Sequence, residues 1–231
     1  ITCGNTTLMD SLIFLIDKIQ EKNIDSLIFQ RKNEHFSELQ ISNFEQDIET
    51  INSKLSGNIL RLGPENDHHN LIYSLNKKNL VKESDHTFEM FSYGISNQAS
   101  RLLTSKPLLD LEIRHFLKLD KLMEGFKICD FLFKPCGYSL NAINDKKYCT
   151  LHITPQRDFS YVSFETNMKM DRDLIAKHLI EILNPESVDM ISFNLSHKTY
   201  QHQKYETKEQ RYTVLRCGYQ VVFQHLNKRK L

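Results

Sequence analysis

The segment FKPCGYSLNAINDKKYCTLHITPQRDFSYVSFETN, residues 133–167, decides the fold. Residues 138–143 and 147–154 are runs rich in β-branched, aromatic and aliphatic side chains, joined by the polar Asn144, Asp145 and Lys146; residues 159–166 form a third such run. Three runs in this order predict an antiparallel meander. Placing Asp145 and Lys146 in a two-residue turn sets the register of the first hairpin: Asn144 faces Lys147, Ala142 faces Cys149, Leu140 faces Leu151, and Tyr138 faces Ile153. One face is then apolar along its length. The other pairs Ile143 with Tyr148, Asn141 with Thr150, and Ser139 with His152, the last with Cβ atoms about 5 Å apart. Slipping the turn by one residue mixes polar with apolar side chains across the apolar face, which selects this register.

A serine opposite a histidine supports two readings. One is a cross-strand hydrogen bond on a half-buried surface. The other is proton chemistry, with His152 as base and Ser139 as donor or orienter. The residues by themselves leave both open. A Cys/His hydrolase using Cys136 and His152 is a third reading, disfavoured because Cys136 lies beyond the strand end and no acid is placed to orient the imidazole.

At 231 residues and 40% hydrophobic, the chain suffices for one large domain, and no Pro/Gly/Ser-rich linker marks a split, so residues 1–231 read as a single domain. A formal net charge of +1 offers no long-range attraction for nucleic acid or an anionic membrane, leaving a small molecule as the expected partner. The five cysteines, at 3, 129, 136, 149 and 217, contain no CxxC pair and read as reduced thiols in a cytoplasmic protein. The apolar run over residues 8–19 is interrupted by Asp10, Asp17 and Lys18 and is too short to span a bilayer.

In chain order, Leu8, Leu12, Leu15, Ile16 and Ile19 recur at helical spacing, with Thr6 or Thr7 as cap. Residues 26–31 read as a strand. Ser42 or Asn43 caps a helix whose Phe44, Ile48, Ile51 and Leu55 form one stripe. Residues 58–62 and 70–75 read as strands joined by a polar connection holding His68 and His69, which have no third metal ligand in register, so no metal site is expected. Asp85, Thr87 and Glu89 alternate with His86, Phe88 and Met90 on a strand. Helices are predicted over 96–103, 108–123 and 171–183, the last stopped by Pro185; strands over 126–133, 188–195 and 212–226; and a solvated tail over 227–230.

The run PCGYS (135–139), then HITP (152–155) and FSYVSFETN (159–167), resembles the eukaryotic S-adenosylmethionine decarboxylase family, pyruvoyl enzymes of polyamine synthesis. ITCGNTTL (1–8) is similar to the family's TCGTTL, FQRKN (29–33) to its YSRKN, and SDHTFEM (84–90) to its DQTLE. The resemblance implies a four-layer α/β/β/α sandwich of two antiparallel sheets with outer helices. It also implies a proenzyme that cuts itself at Glu-Ser-Ser, the Ser becoming the pyruvoyl group of the larger chain about a dozen residues before TCG. No Glu-Ser-Ser occurs here, so the sequence is expected to be most of that larger chain, with the smaller chain of the same proenzyme as a partner and a homodimer or heterodimer as the assembly.

By the same resemblance, the pyruvoyl carbonyl forms a Schiff base with S-adenosylmethionine and accepts the electron pair left when CO2 departs. Cys3 inherits the role of proton donor to the substrate Cα, a thiol whose ordinary pKa of about 8.5 suits the step. Ser139 and His152 match the processing pair: Ser139 hydrogen-bonds the tetrahedral species of self-cleavage, and His152 removes the α-proton that lets the ester eliminate. Phe133 matches the Phe that stacks on adenine, and Gln156 stands where many members have the Glu that binds the ribose hydroxyls. Asp85, Thr87, Glu89 and Glu165 match a charged inter-sheet site that holds putrescine in some members. Because Ile1 replaces the Lys before TCG and Gln30 the Ser of YSRKN, basic side chains rather than putrescine are expected to balance these acids. The alternative from another class is a catalytically inactive paralogue that binds and activates an active decarboxylase subunit, as in some protist members.

Overall fold

A computed structural model describes residues 8–33, 40–65, 68–77, 85–104, 110–134, 136–156, 160–169, 171–195 and 198–230. The chain divides into two compact units, residues 1–84 with 213–220, and residues 85–212 with 221–231. Both are built on antiparallel sheets.

The first unit contains α1 (Met9–Ile19), β1 (Ile28–Lys32), α2 (Phe44–Asn52), β2 (Gly57–Leu62) and β3 (Asn70–Leu75), with sheet order β1-β3-β2. α2 begins as its sequence dictates. The Asn43 side chain accepts from Gln46 N–H while the Gln46 side chain accepts from Asn43 N–H, each at 2.9 Å, a reciprocal capping box. Ser42 instead donates to Asp47 Oδ1 at 2.6 Å, beside the ion pair of Arg31 with Asp47. Phe44, Ile48, Ile51 and Leu55 are buried with Phe29, Tyr73 and Leu75, as the stripe predicts. On α1 the buried residues are Met9 and Ile16, with Leu12 and Ile13 packed beside them; Leu8, Leu15 and Ile19 are exposed, so the apolar spacing placed the stripe about one position off. Thr6 and Thr7, the expected caps, lie outside the described residues.

The second unit is an eight-stranded sheet, order β10-β11-β9-β4-β8-β7-β6-β5. Its strands are β4 (Thr87–Tyr93), β5 (Lys127–Leu132), β6 (Tyr138–Asn144), β7 (Lys147–Thr154), β8 (Tyr161–Thr166), β9 (Ser187–Phe193), β10 (Tyr205–Val214) and β11 (Gln220–Lys228). The β6–β7 register is the predicted one at every position, from Asn144↔Lys147 to Tyr138↔Ile153, with Asp145 at φ 54° in the turn. Asn167 locks the turn, accepting from Tyr148 N–H and donating to Lys146 O, both at 2.7 Å. Leu140, Ala142, Cys149, Leu151, Ile153, Val162 and Phe164 share one face and form a core with Ala99 and Leu103 of α3 (Asn97–Thr104), Ile113 of α4 (Asp110–Phe116), and Ile175, Ala176 and Leu179 of α5 (Arg172–Leu183).

Four expectations are corrected. The helix over 108–123 ends at Phe116; Lys118 takes φ 52° and the chain continues as turns that still bury Leu117, Leu119 and Met123. The strand over 212–226 is two strands, parted at residues 215–219 by a turn in which Leu215 N–H donates to Tyr219 O at 2.8 Å and Gly218 adopts φ 92°, a conformation that favours glycine. The basic tail belongs to the fold: β11 runs through Lys228, whose N–H donates to Glu186 O at 2.9 Å, and Arg229 N–H donates to Lys204 O at 2.8 Å. Asp85 precedes β4 instead of sharing its face; it is exposed, and its carbonyl accepts from Asn194 Nδ2 at 2.7 Å.

Candidate active site

The face of the large sheet opposite its core carries the polar side chains. Cross-strand partners point the same way, so the registers trace one row: Phe131, Ser139, His152, Ser163, Phe91, Asp189 and His225, on β5, β6, β7, β8, β4, β9 and β11. Ser139 Oγ lies 2.9 Å from His152 Nδ1, and both residues are half-buried. Burial lowers the pKa of His152 from its ordinary value. The imidazole is therefore neutral at pH 7 and able to accept a proton. Ser163 faces it from the opposite neighbouring strand.

Two residues along the strands lies a second polar row, in which Thr150, Glu165 and Glu89 are cross-strand partners. Like charges directly opposite each other disfavour a sheet. Here Tyr148 donates its hydroxyl to Glu165 Oε1 at 2.5 Å, with Thr87 nearby on β4. Burial, then the hydrogen bond and charge of Glu165, raise the Tyr148 pKa well above the ordinary phenol value; Glu89 adds to this and Thr87 opposes it. The structure thus brings Thr87, Glu89 and Glu165 to one region of the sheet, with Tyr148 bonded to Glu165, and leaves Asp85 outside it. Among the described residues, the phenol of Tyr148 is a donor to Glu165.

Phe133 follows β5 and Gln156 follows β7, at the strand ends nearest the Ser139–His152 pair. Phe133 N–H donates to Gly137 O at 2.8 Å, closing the β5–β6 connection, in which Gly137 adopts φ 123° and Cys136 is partly exposed. Gln156 is exposed, just after Pro155, whose carbonyl accepts from Ser100 Oγ at 3.0 Å. Cys149, on the core face, has no exposure, and burial followed by the charge of Glu165 pushes its thiol up to about 12. It is a packing residue. Cys3 lies outside the described residues. No group of three His, Cys, Asp or Glu able to hold a metal ion occurs among the described residues, and no helix among them is long and apolar enough to cross a membrane.

Two features escaped the sequence reading. Tyr148 looked like an ordinary strand aromatic, although its register beside Thr150 and near the FETN carboxylate was a usable signal. The buried pair of Asp189 Oδ1 and His225 Nδ1, 2.6 Å apart, with Tyr93 donating to Asp189 Oδ2 at 3.2 Å, joins residues 36 apart in sequence. Its signal was an acid inside the mostly apolar run VDMISF.

Two antiparallel sheets, the larger with a helix-covered apolar face and a polar face on which an imidazole meets a serine hydroxyl, define an α+β protein. The chain belongs to the adenosylmethionine decarboxylase family, whose model matches residues 1–228. It is similar to the S-adenosylmethionine decarboxylase proenzymes of Dictyostelium discoideum (28% identity, 80% of this chain and 51% of that protein), Drosophila melanogaster (32%, 73% and 55%) and Xenopus laevis (29%, 80% and 59%). The chain thus spans between half and three-fifths of the length of these relatives. Its fold matches a crystal structure of Trypanosoma brucei AdoMetDC-delta26 monomer with a TM-score of 0.73 at 23% identity, covering 100% of this chain and 95% of that one.

Proposed function

We propose that this chain is the larger part of a self-processing S-adenosylmethionine decarboxylase, supplying the aminopropyl donor for polyamine synthesis. The observation that carries the reading is the 2.9 Å contact between Ser139 Oγ and the neutral His152 imidazole, in a family whose proenzymes are the similar sequences. The family match runs across both compact units, which supports reading residues 1–231 as one domain.

The residues present fit the demands of a pyruvoyl group made from a serine. Conversion needs a neutral base to take an α-proton and a hydroxyl donor beside it, and the half-buried His152–Ser139 pair offers both. When bound, the group supplies the electron sink that no side chain can provide. The chain's own residues do the rest. Ser139 donates to oxygen charge developing on the cleaved peptide, and His152 takes the proton. Cys3 delivers a proton to the substrate Cα, Phe133 stacks on adenine, and Gln156 hydrogen-bonds the ribose hydroxyls through its uncharged amide. The row of Glu89 and Glu165 lies two residues along β7 from His152; Tyr148 donates a hydrogen bond to Glu165, and basic side chains, including ones from the small chain, balance the acids. The protein works in the cytoplasm with S-adenosylmethionine and its own small chain as partners.

The test is intact mass spectrometry of the full-length gene product with S-adenosylmethionine and sodium cyanoborohydride. The expected result is two chains, the larger carrying a reduced substrate adduct. A single uncut chain without adduct overturns the reading and favours an inactive, partner-activating paralogue. With His152→Ala, hydroxylamine is expected to release two chains from an accumulated ester; a variant that processes at the normal rate removes His152 from the mechanism.

A further inference from the structure

The edge of the site carries an aromatic residue to which nothing above gives a role. Phe131 is the cross-strand partner of Ser139 on β5, the edge strand of the eight-stranded sheet. Its side chain is 60% exposed and that of Phe133 is 46% exposed, large apolar surfaces beside the Ser139–His152 pair. The two rings do not splay into solvent. Their centroids lie 4.9 Å apart at an interplanar angle of 72°, an edge-to-face contact that matches the positive edge of one ring to the negative face of the other.

We propose that Phe131 is a positioning residue for the purine: its ring fixes the plane of Phe133, so that Phe133 meets an adenine base already oriented for stacking. The inference rests on the reading of Phe133 as the adenine-stacking residue. The argument is one of preorganisation. Phe133 stands just past the end of β5, its N–H bonded to Gly137 O and its side chain 46% exposed, so nearly half of that side chain's surface is not packed by the rest of the fold. A ring that must be immobilised on binding lowers affinity by the entropy lost, whereas one already held by a neighbour does not. Phe131 provides that neighbour. Being an edge contact, it requires an aromatic ring rather than apolar bulk. Because Phe131 is directly opposite Ser139, the same side chain brings the stacking platform into register with the Ser139–His152 pair.

The experiment uses the self-processed two-chain enzyme from the full-length gene, with variants Phe131→Ala, Phe131→Leu, Phe131→Tyr and Phe133→Ala. Steady-state decarboxylation is measured alongside the calorimetric Kd for 5′-deoxy-5′-methylthioadenosine. Removing the edge-to-face partner in Phe131→Ala is expected to raise both KM and this Kd about 3- to 10-fold, with kcat within twofold of the parent. Phe131→Tyr restores both constants; Phe131→Leu does not. Since Phe131 is largely exposed, no cavity opens, and unchanged melting curves are expected. Two outcomes overturn the inference while leaving the adenine reading intact: Phe133→Ala raises KM but Phe131→Ala does not, or Phe131→Leu rescues as well as Tyr. If Phe133→Ala itself leaves KM and Kd unchanged, the stacking reading fails and the inference falls with it.

Discussion

Replacing Tyr148 by Phe removes one oxygen from the carboxylate cluster and leaves the ring, so it isolates the bond to Glu165. That bond is 2.5 Å long and made to a carboxylate whose cross-strand partner is a second carboxylate, Glu89. Hydrogen bonds to charged groups contribute about 1.5–3 kcal/mol, so Tyr148→Phe is expected to cost that much in urea unfolding at pH 8. The pH dependence gives a second reading of the same bond. Tyr148 has a folded-state pKa raised by burial and by Glu165, so its contribution is fully present below the unfolded-state value of about 10 and is lost as pH rises through the folded-state value. The parent therefore loses up to about 1.4 kcal/mol per pH unit above pH 10 from this group, and the variant does not. Tyr73, Tyr200 and Tyr205, also raised by burial, titrate in both proteins and cancel in the difference. The gap between parent and variant should shrink steadily between pH 10 and 11. A gap that stays constant from pH 8 to 11, or one below about 0.5 kcal/mol at pH 8, would refute the assignment of Tyr148 as the donor that stabilises the acids.

Three further outcomes are expected. Leu140→Ala removes a side chain with no exposure from the core face of β6 and should cost about 2.7–5 kcal/mol in denaturant unfolding, with self-processing lost before the secondary structure. Asp189→Ala leaves the buried His225 without its carboxylate and should cost about 3–5 kcal/mol; the Asp189→Ala/His225→Ala double variant should cost less than the sum of the singles. Because burial lowers the His152 pKa, the rate of proenzyme cleavage followed by gel densitometry should be flat from pH 7 to 8.5 and fall only below about pH 6.5, as the base becomes protonated; a midpoint above that value contradicts a buried, neutral imidazole.

The site was legible wherever one local rule left a single solution. With a two-residue turn and a side-chain period of two, Ser139 and His152 had to be neighbours once one face was required to be apolar, and Asn43 followed by Gln46 three residues on was sufficient for the capping box. Legibility failed where the rule was non-local. In β10, YETKEQRYTV, charged and polar residues occupy both faces because it is an edge strand largely open to solvent, so no alternation marks it. Residues 117–123 keep an apolar spacing that a helix would share, yet the backbone turns at Lys118 and buries Leu117, Leu119 and Met123 by another path. Partnership between Asp189 and His225 depends on β9 and β11 being paired, which no local pattern encodes.

Burial along the polar row also separates positions suited to proton transfer from positions suited to structure. Asp189 and His225, on β9 and β11, have 0% and 2% exposure, so any ionisable group there must be satisfied from within the protein, as the Asp–His–Tyr cluster is. Toward β7, β6 and β5 the same row opens: His152 and Ser139 are half-buried and Phe131 is mostly exposed. A base needs enough burial to stay neutral and enough access to meet its substrate, and only the middle of this gradient offers both. At the buried end an imidazole serves as a fixed partner of a carboxylate; at the open end it would lose the desolvation that lowers its pKa. His152 sits between these limits, with Ser139 beside it and the Phe131–Phe133 pair at the solvent edge. The balance of burial and access at the Ser139–His152 pair is thus set by how the sheet is covered as much as by which residues it carries, and an imidazole at the β9 or β11 position of this row is a structural partner, as His225 is.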